Sequence, residues 1–258
     1  MKTPGYFQIT RTATYSFLVA VPLLAAYEIL ILLVNDGTDS GVRVGADVWI
    51  KQLIALVGDP GMFAIGLVVL AVGIWVVRRD RSKGLPIRPK YFGWMIAESL
   101  GYALVVAFIV SRLVGALYYN VAVGEAGMAS MPQELGLSKM LALSLGAGLY
   151  EELVFRVFLV GGLFWALSKW RGRGKPELAE GEVVSKDVFA YVVAAVIGAL
   201  LFSAVHYIGA YGDPFQLPSF TFRFLFGLAL NALFLLRGFG IAAWTHAIYD
   251  ILVVTNTL

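Results

Sequence analysis

The sequence YEELVFR, residues 150–156, places three ionisable side chains inside an apolar run from about residue 140 to residue 167. A run of this length can cross a bilayer. Insertion scales put the cost of each charged group at membrane depth at about 2.5–3.5 kcal/mol, so such groups usually face a polar cavity and have partners. Glu152 and Arg156 are four residues apart and share a helical face, so they can pair. Glu151 points elsewhere without that partner, and an unpaired carboxyl in a desolvated place is a candidate general base.

The composition of the whole chain excludes an ordinary soluble domain. Of its 258 residues, 59% are hydrophobic and only 14% are charged, whereas soluble domains carry about 25% charged residues. The sequence therefore predicts an integral membrane protein, whose first partner is the lipid bilayer. The absence of cysteine excludes disulfides, thiolate metal sites and a cysteine nucleophile. The net charge of +3 comes without a basic tail, so we expect no nucleic-acid partner.

The apolar runs predict an all-α fold, a polytopic bundle of about seven transmembrane helices. The predicted spans are 13–34, 60–77, 92–119, 138–168, 188–208, 219–236 and 239–256. An eighth span would result if the long third run were split. The run 13–34 is too long for a signal-peptide core and has no clear cleavage site after it, so we interpret it as an uncleaved first span.

Lys and Arg residues predict the orientation of the chain, because they are enriched in cytoplasmic loops. With seven spans, fourteen of them fall on one side and four on the other. The larger set lies in the N-terminal segment and in the second, fourth and sixth connections. The smaller set comprises Arg43, Lys51, Lys139 and Arg223. We therefore expect a multi-pass protein of the plasma membrane, with its N-terminus in the cytoplasm and its C-terminus outside.

Three further polar residues lie in apolar segments, at depths that match the Glu pair. His246 and Asp250 share a helical face in the last span, and His206 lies near the outer end of the fifth. At about 1.5 Å of rise per residue, Glu151 lies roughly 18 Å from Lys139, and His246 lies roughly 14 Å from Arg237. These groups can therefore meet in the middle-to-outer half of the bundle. A purely structural role for all of them is the weaker interpretation.

Other intramembrane polar residues are less specific. Glu28 and Arg112 both fall toward the outer side of their spans and could pair with each other. Asn231 is expected to bond a neighbouring helix, and Glu98 to reach water at the cytoplasmic end. We place all four outside the candidate site.

The polar residues, taken in order, resemble the motif set of a known family. The patterns Glu-Glu-x-x-x-Arg at 151–156, Phe-x-x-x-His at 202–206 and His-x-x-x-Asp at 246–250 resemble those of the CAAX protease and bacteriocin-processing family. It is also called the Abi family, and it is the intramembrane peptidase family of the Ras-converting enzyme. The resemblance covers roughly residues 140–256. We therefore divide the chain into N-terminal transmembrane helices without matched motifs, residues 1–135, and a catalytic helical core, residues 136–258.

The resemblance implies an intramembrane endopeptidase that hydrolyses a peptide bond near the C-terminus of a membrane-associated protein substrate, which is lipidated or C-terminally anchored. Carried over by position, Glu151 activates water with help from His206. Glu152 and Arg156 form the supporting ion pair, whereas His246 and Asp250 correspond to the groups that stabilise the oxyanion. An ionised Asp cannot donate a hydrogen bond, so we expect Asp250 to orient His246 or to stay protonated.

Two alternatives stay open at this stage. Zn²⁺ held by His206, His246 and Glu151 would make the protein a metalloprotease at the same site. The sequence has no His-Glu-x-x-His helix, and we favour a mechanism without a cofactor. A transporter or a non-catalytic scaffold is the alternative from another class, because intramembrane Glu, His and Asp also build proton relays. No internal repeat of the transporter kind is evident.

Overall fold

The computed structural model describes residues 5–35, 43–46, 48, 59–82, 84–118, 136–172, 187–209 and 212–257. These residues include eight helices with defined bounds, a short helical stretch at residues 45, 46 and 48, and no strand. In chain order the eight helices are α1 (Tyr6–Thr10), α2 (Ala13–Val34), α3 (Asp59–Ser82), α4 (Lys90–Tyr118), α5 (Leu137–Trp170), α6 (Val188–Val205), α7 (Leu217–Arg237) and α8 (Phe239–Val254).

The helices from α2 to α8 fall on the seven predicted spans, and the prediction of a polytopic helical membrane bundle is confirmed. Helices α2, α4, α5, α6 and α7 are long and apolar enough to cross a membrane. Helix α8 is apolar but has 16 residues, which gives about 24 Å at the usual helical rise. Large apolar side chains such as Leu104, Phe108 and Val192 are exposed. An exposed apolar surface of this kind suits lipid, where helices satisfy their own backbone hydrogen bonds.

Helix α8 lies at the centre of the bundle and packs against α2, α4, α5 and α7. Its buried face consists largely of small residues, including Gly240, Ala242, Ala243 and Ala247. Small residues let helix backbones approach closely, and they drive much of the packing between membrane helices. A tight turn at Gly238, with φ of 87°, joins α7 to α8, and this positive φ favours glycine.

Helix α5 approaches α8 closely at Gly148, three residues before Glu151. A Cβ atom at residue 148 would lie 2.6 Å from the Ala243 carbonyl oxygen and 2.6 Å from the Ala247 Cβ. Both contacts are too short for a side chain, and the first is with backbone. Glycine at this position therefore lets α5 carry its glutamates up to the face of α8.

We expect Gly148→Ala to destabilise the protein by about 1–3 kcal/mol, because the added methyl group must push two packed helices apart. Thermal unfolding in detergent measures the loss. Gly101→Ala is the matched control, since a Cβ atom there meets nothing within 4 Å. Equal melting temperatures for the two variants would contradict the close approach.

The predicted cytoplasmic end of the bundle is closed by an ion pair that the sequence did not indicate. Glu98, expected to reach water, instead lies 2.5 Å from the Nε atom of Arg237 and accepts a hydrogen bond from the Tyr6 hydroxyl at 2.6 Å. Burial, reinforced by the Glu98 carboxylate, raises the pKa of Tyr6. The expectation for Glu98 was wrong, because the sequence does not show that α1 folds back over α4 and α7.

The proposed division into residues 1–135 and 136–258 stays a prediction. Its boundary adjoins residues 119–135, which lie outside the described part of the chain. Helix α2, from the N-terminal portion, packs against both α5 and α8. The N-terminal helix therefore supports the elements that carry the motifs.

Candidate active site

The two glutamates lie on a stretch of α5 that is wound more loosely than an α-helix. Residues Ala147–Glu151 and Leu153–Val160 are π-helical, between α-helical ends at Leu137–Gly146 and Gly161–Trp170. The π-helix is rare, and where it occurs it is often found at functional sites. The assumption of a regular α-helix through Glu151 was therefore wrong. The altered winding still directs the two adjacent carboxyl groups to different surroundings.

Glu152 is enclosed in the protein between a cation and a histidine. Its Oε2 atom lies 3.0 Å from the Nε atom of Arg156, and its Oε1 atom lies 2.8 Å from the Nδ1 atom of His246. The Glu152 side chain is 0% exposed and that of Arg156 is 1% exposed. The Arg156 guanidinium also lies 4.5 Å from the centre of the Phe202 ring. Glu152 thus connects the ion pair within α5 to the histidine of α8.

Glu151, in contrast, faces an open space together with His206. The side chain of Glu151 is 17% exposed and that of His206 is 21% exposed, and the Glu151 Oε2 atom lies 4.0 Å from the His206 Nε2 atom. This separation is too long for a direct hydrogen bond. The Nδ1 atom of His206 lies 2.8 Å from the Phe202 carbonyl oxygen. Since a carbonyl can only accept, Nδ1 carries a hydrogen, and in the neutral ring Nε2 keeps its lone pair.

His246 and Asp250 complete the polar groups. The Nε2 atom of His246 lies 3.5 Å from the Asp250 Oδ2 atom. Both nitrogens of His246 therefore face carboxyl groups, Glu152 on one side and Asp250 on the other. The ring of His246 is held edge-on between the aromatic rings of Phe202 and Phe226, with ring centres 5.9 and 5.5 Å away.

A cavity of about 210 Å³ joins these groups. Its lining includes all four residues proposed for the chemistry, Glu151, His206, His246 and Asp250, whereas Glu152 and Arg156 are not part of it. Aromatic side chains form much of its wall, namely those of Phe202, Phe222, Phe226 and Tyr249. The three helices α5, α6 and α8 thus bring their polar residues to one pocket. Their individual roles stay predictions.

The three side chains considered as zinc ligands lie near one another, but the described residues do not form a cluster with the geometry of a metal site. No group of three His, Asp or Glu side chains with the geometry of metal ligands occurs in the described part of the chain. His246 has its Nδ1 atom on Glu152 and its Nε2 atom beside Asp250, so both ring nitrogens already have carboxyl neighbours. The ligand set considered from the sequence, His206, His246 and Glu151, is therefore close together but is not arranged around a common centre.

Arg223 is a buried cation of the cavity wall that the sequence did not place in the site, because it was counted only among the basic residues of the loops. Its side chain is 7% exposed, and its Nη2 atom lies 2.5 Å from the Oδ2 atom of Asp213. Burial raises the pKa of Asp213, and the positive charge of Arg223 opposes that rise. Its place among the apolar residues of α7, after the buried Phe222, was the available signal.

The fold and the cavity define the class of protein: a polytopic helical membrane protein with a carboxylate–histidine site enclosed by its helices. Residues 133–252 match the family model described as Type II CAAX prenyl endopeptidase Rce1-like. This match confirms the resemblance to the CAAX protease family that the three motifs predicted for this part of the chain. The family match supports the interpretation of this protein as a peptidase that acts in a membrane on a protein substrate. Neither a curated protein nor a solved structure matches the chain significantly.

Proposed function

We propose that this protein is an intramembrane endopeptidase in which Glu151 activates water to hydrolyse a peptide bond near the C-terminus of a membrane-associated protein. One observation carries the proposal. Glu151 and His206 face the same cavity 4.0 Å apart, whereas the adjacent Glu152 is fully enclosed in its pair with Arg156. The first carboxyl group is therefore accessible to water and substrate, and the second is not.

The spacing of Glu151 and His206 suits a shared water molecule. Polar atoms more than about 3.5 Å apart are often bridged by water, and one water can donate its two hydrogens to the Glu151 carboxylate and the His206 Nε2 lone pair. Its oxygen then attacks the scissile carbonyl carbon as one O–H bond breaks and the proton passes to Glu151. The carbonyl oxygen becomes an oxyanion. When the C–N bond breaks, the proton on Glu151 is transferred to the leaving amine.

His246 is positioned to stabilise the oxyanion. The Glu152 carboxylate accepts the hydrogen of Nδ1, and the second carboxyl group, on Asp250, lies beside Nε2. Two carboxylates flanking one ring favour the imidazolium form. In that form Nε2 carries a hydrogen that can be donated into the cavity. Such a donor contributes about 2.7–4 kcal/mol of transition-state stabilisation in known enzymes.

We expect Asp250→Leu to lower kcat about 100-fold, because His246 would lose the carboxyl group that lies beside Nε2. We expect Asp250→Asn to keep activity within about tenfold of the unmodified protein, since the amide retains an oxygen beside the ring. Cleavage of a prenylated CAAX peptide by the purified variants measures both effects. Full activity of Asp250→Leu would exclude Asp250 from the chemistry.

The function itself is tested by comparing the terminal peptides of membrane proteins from cells that contain the active protein with those from cells that contain Glu151→Gln. We expect new C-termini, each generated by loss of a short segment, only with the active protein. Identical sets of termini would overturn the proposed function. The predicted orientation, with the site toward the outer half of the membrane, predicts exported or surface-anchored substrates.

A further inference from the structure

Arg223 is a buried cation in the cavity wall that the proposed hydrolysis does not use. It lies on α7, and its guanidinium group is anchored on one side by the Asp213 carboxylate and stacks over the Tyr207 ring at 5.1 Å from its centre. The Tyr207 hydroxyl donates in turn to the Ser219 hydroxyl at 3.0 Å. Two neighbouring side chains, Asp213 and Tyr207, therefore fix the position of the guanidinium group, and Ser219 in turn fixes Tyr207.

One nitrogen of this guanidinium group, Nη1, lacks a hydrogen-bond acceptor among the described residues. The Nη1 atom of Arg223 is buried and has no hydrogen-bond partner among the described residues. A buried donor left without an acceptor costs about 1–3 kcal/mol, and more when it carries charge. A planar guanidinium group matches the geometry of carboxylate and phosphate groups, and a peptide substrate offers a carboxylate. The unpartnered Nη1 atom therefore favours an anionic ligand in the cavity.

The segment that holds Arg223 also holds the histidine of the proposed water site. The backbone N–H of Asp213 donates to the carbonyl oxygen of His206 at 2.9 Å. The carboxylate of the same Asp213 contacts Arg223. A ligand bound by Arg223 is thus positioned relative to His206 through a single residue, so the distance from that ligand to the reacting water is defined by the fold.

We propose that Arg223 binds the α-carboxylate at the C-terminus of the substrate and so selects a bond a short, fixed distance from that end. This inference rests on the proposed endopeptidase function. Three extended residues span at most about 10 Å, so the terminal carboxylate of a substrate cut near its end must enter the same cavity as the reacting bond. There it approaches Glu151 and Asp250, and a matching cation is needed to offset the repulsion.

Arg43 is the other arginine of the cavity wall, and it provides the matched control. Its Nη1 atom lies 3.7 Å from the Glu28 carboxylate, and its side chain is 31% exposed. A cation with this exposure is screened by solvent and gives a weaker, less directional contact. The carboxylate should therefore be recognised through Arg223 and not through Arg43.

The experiment uses two forms of one prenylated CAAX peptide, with a free C-terminal carboxylate or a C-terminal amide. We expect the unmodified protein in detergent to favour the carboxylate about 10- to 100-fold in kcat/KM, the effect of a charge-assisted hydrogen bond. Arg223→Gln should lose this preference by slowing only the carboxylate peptide. Arg223→Lys, which keeps the charge without the planar guanidinium group, should retain part of it. Arg43→Gln should retain all of it.

The outcomes separate this inference from the function on which it rests. Equal cleavage of both peptides by the unmodified protein would overturn the inference alone, and this result does not depend on whether any variant folds. An equal loss of both activities in Arg223→Gln would also overturn it, because that pattern indicates a structural arginine. If the unmodified protein cleaves neither peptide, the proposed function fails for this substrate class and the inference fails with it.

Discussion

Glu151→Gln is expected to lower the rate of peptide cleavage about 10²- to 10⁴-fold, the usual contribution of a general base. The amide has the shape of the carboxylate but cannot take a proton from water. Because the Glu151 side chain faces the cavity and forms no enclosed ion pair, the variant should fold and melt as the unmodified protein does. Cleavage of a prenylated CAAX peptide, together with thermal unfolding in detergent, measures the two effects separately.

Glu28→Gln is the matched control for this prediction. Glu28 is another carboxyl group in an apolar helix, and it accepts a hydrogen bond from Tyr150 at 3.0 Å. We expect the control to keep most of its activity, because Glu28 does not line the cavity. Cleavage at the normal rate by Glu151→Gln would refute the assignment of the base.

Arg156→Met, in contrast to Glu151→Gln, is expected to cause a large loss of stability. It would leave the fully buried carboxylate of Glu152 without its cation, and breaking a buried ion pair by removing one partner costs about 3–5 kcal/mol. For a chain of this size we expect the melting temperature to fall by roughly 6–20 °C. The six tryptophans of the sequence provide a fluorescence signal for the measurement.

The double variant Glu152→Gln with Arg156→Met tests whether the unpaired carboxylate of Glu152 causes the loss of stability. Removing both charges leaves no uncompensated ion, so the double variant should be more stable than Arg156→Met alone. It should still cleave poorly, because His246 loses the carboxylate that accepts its Nδ1 hydrogen. A melting temperature unchanged in Arg156→Met would show that the pair contributes nothing to stability.

The apolar runs were sufficient to predict the bundle and the approximate positions of its helices. Each run must satisfy its backbone hydrogen bonds internally in lipid, so length and hydropathy decide where helices lie. They do not decide how each helix is rotated about its axis. Depth alone allowed Glu28 to pair with Arg112, but the two residues have other neighbours. Arg43 contacts Glu28 instead, and Arg112 lies over the ring of Phe108.

The sequence predicted which residues form the site better than it predicted which of them contact each other. The spacing of four residues predicted Arg156 beside Glu152 and Asp250 beside His246, because residues four apart along a helix lie on the same face. The contact between Glu152 and His246 joins residues 94 apart in the chain, and it depends on the approach of α5 to α8 at Gly148. The π-helical winding and the buried position of Arg223 likewise depend on packing between helices, which no local pattern encodes.

In the proposed mechanism, the water molecule that attacks the peptide is held by Glu151 and not by a metal ion. The most direct measurement is the cleavage of a prenylated CAAX peptide by purified protein after exhaustive chelation, with the metal content determined on the same sample. We expect undiminished cleavage at far less than one metal ion per chain, and we expect Glu151→Gln to lose this cleavage. Loss of activity on chelation, with recovery on adding Zn²⁺, would contradict the proposed mechanism.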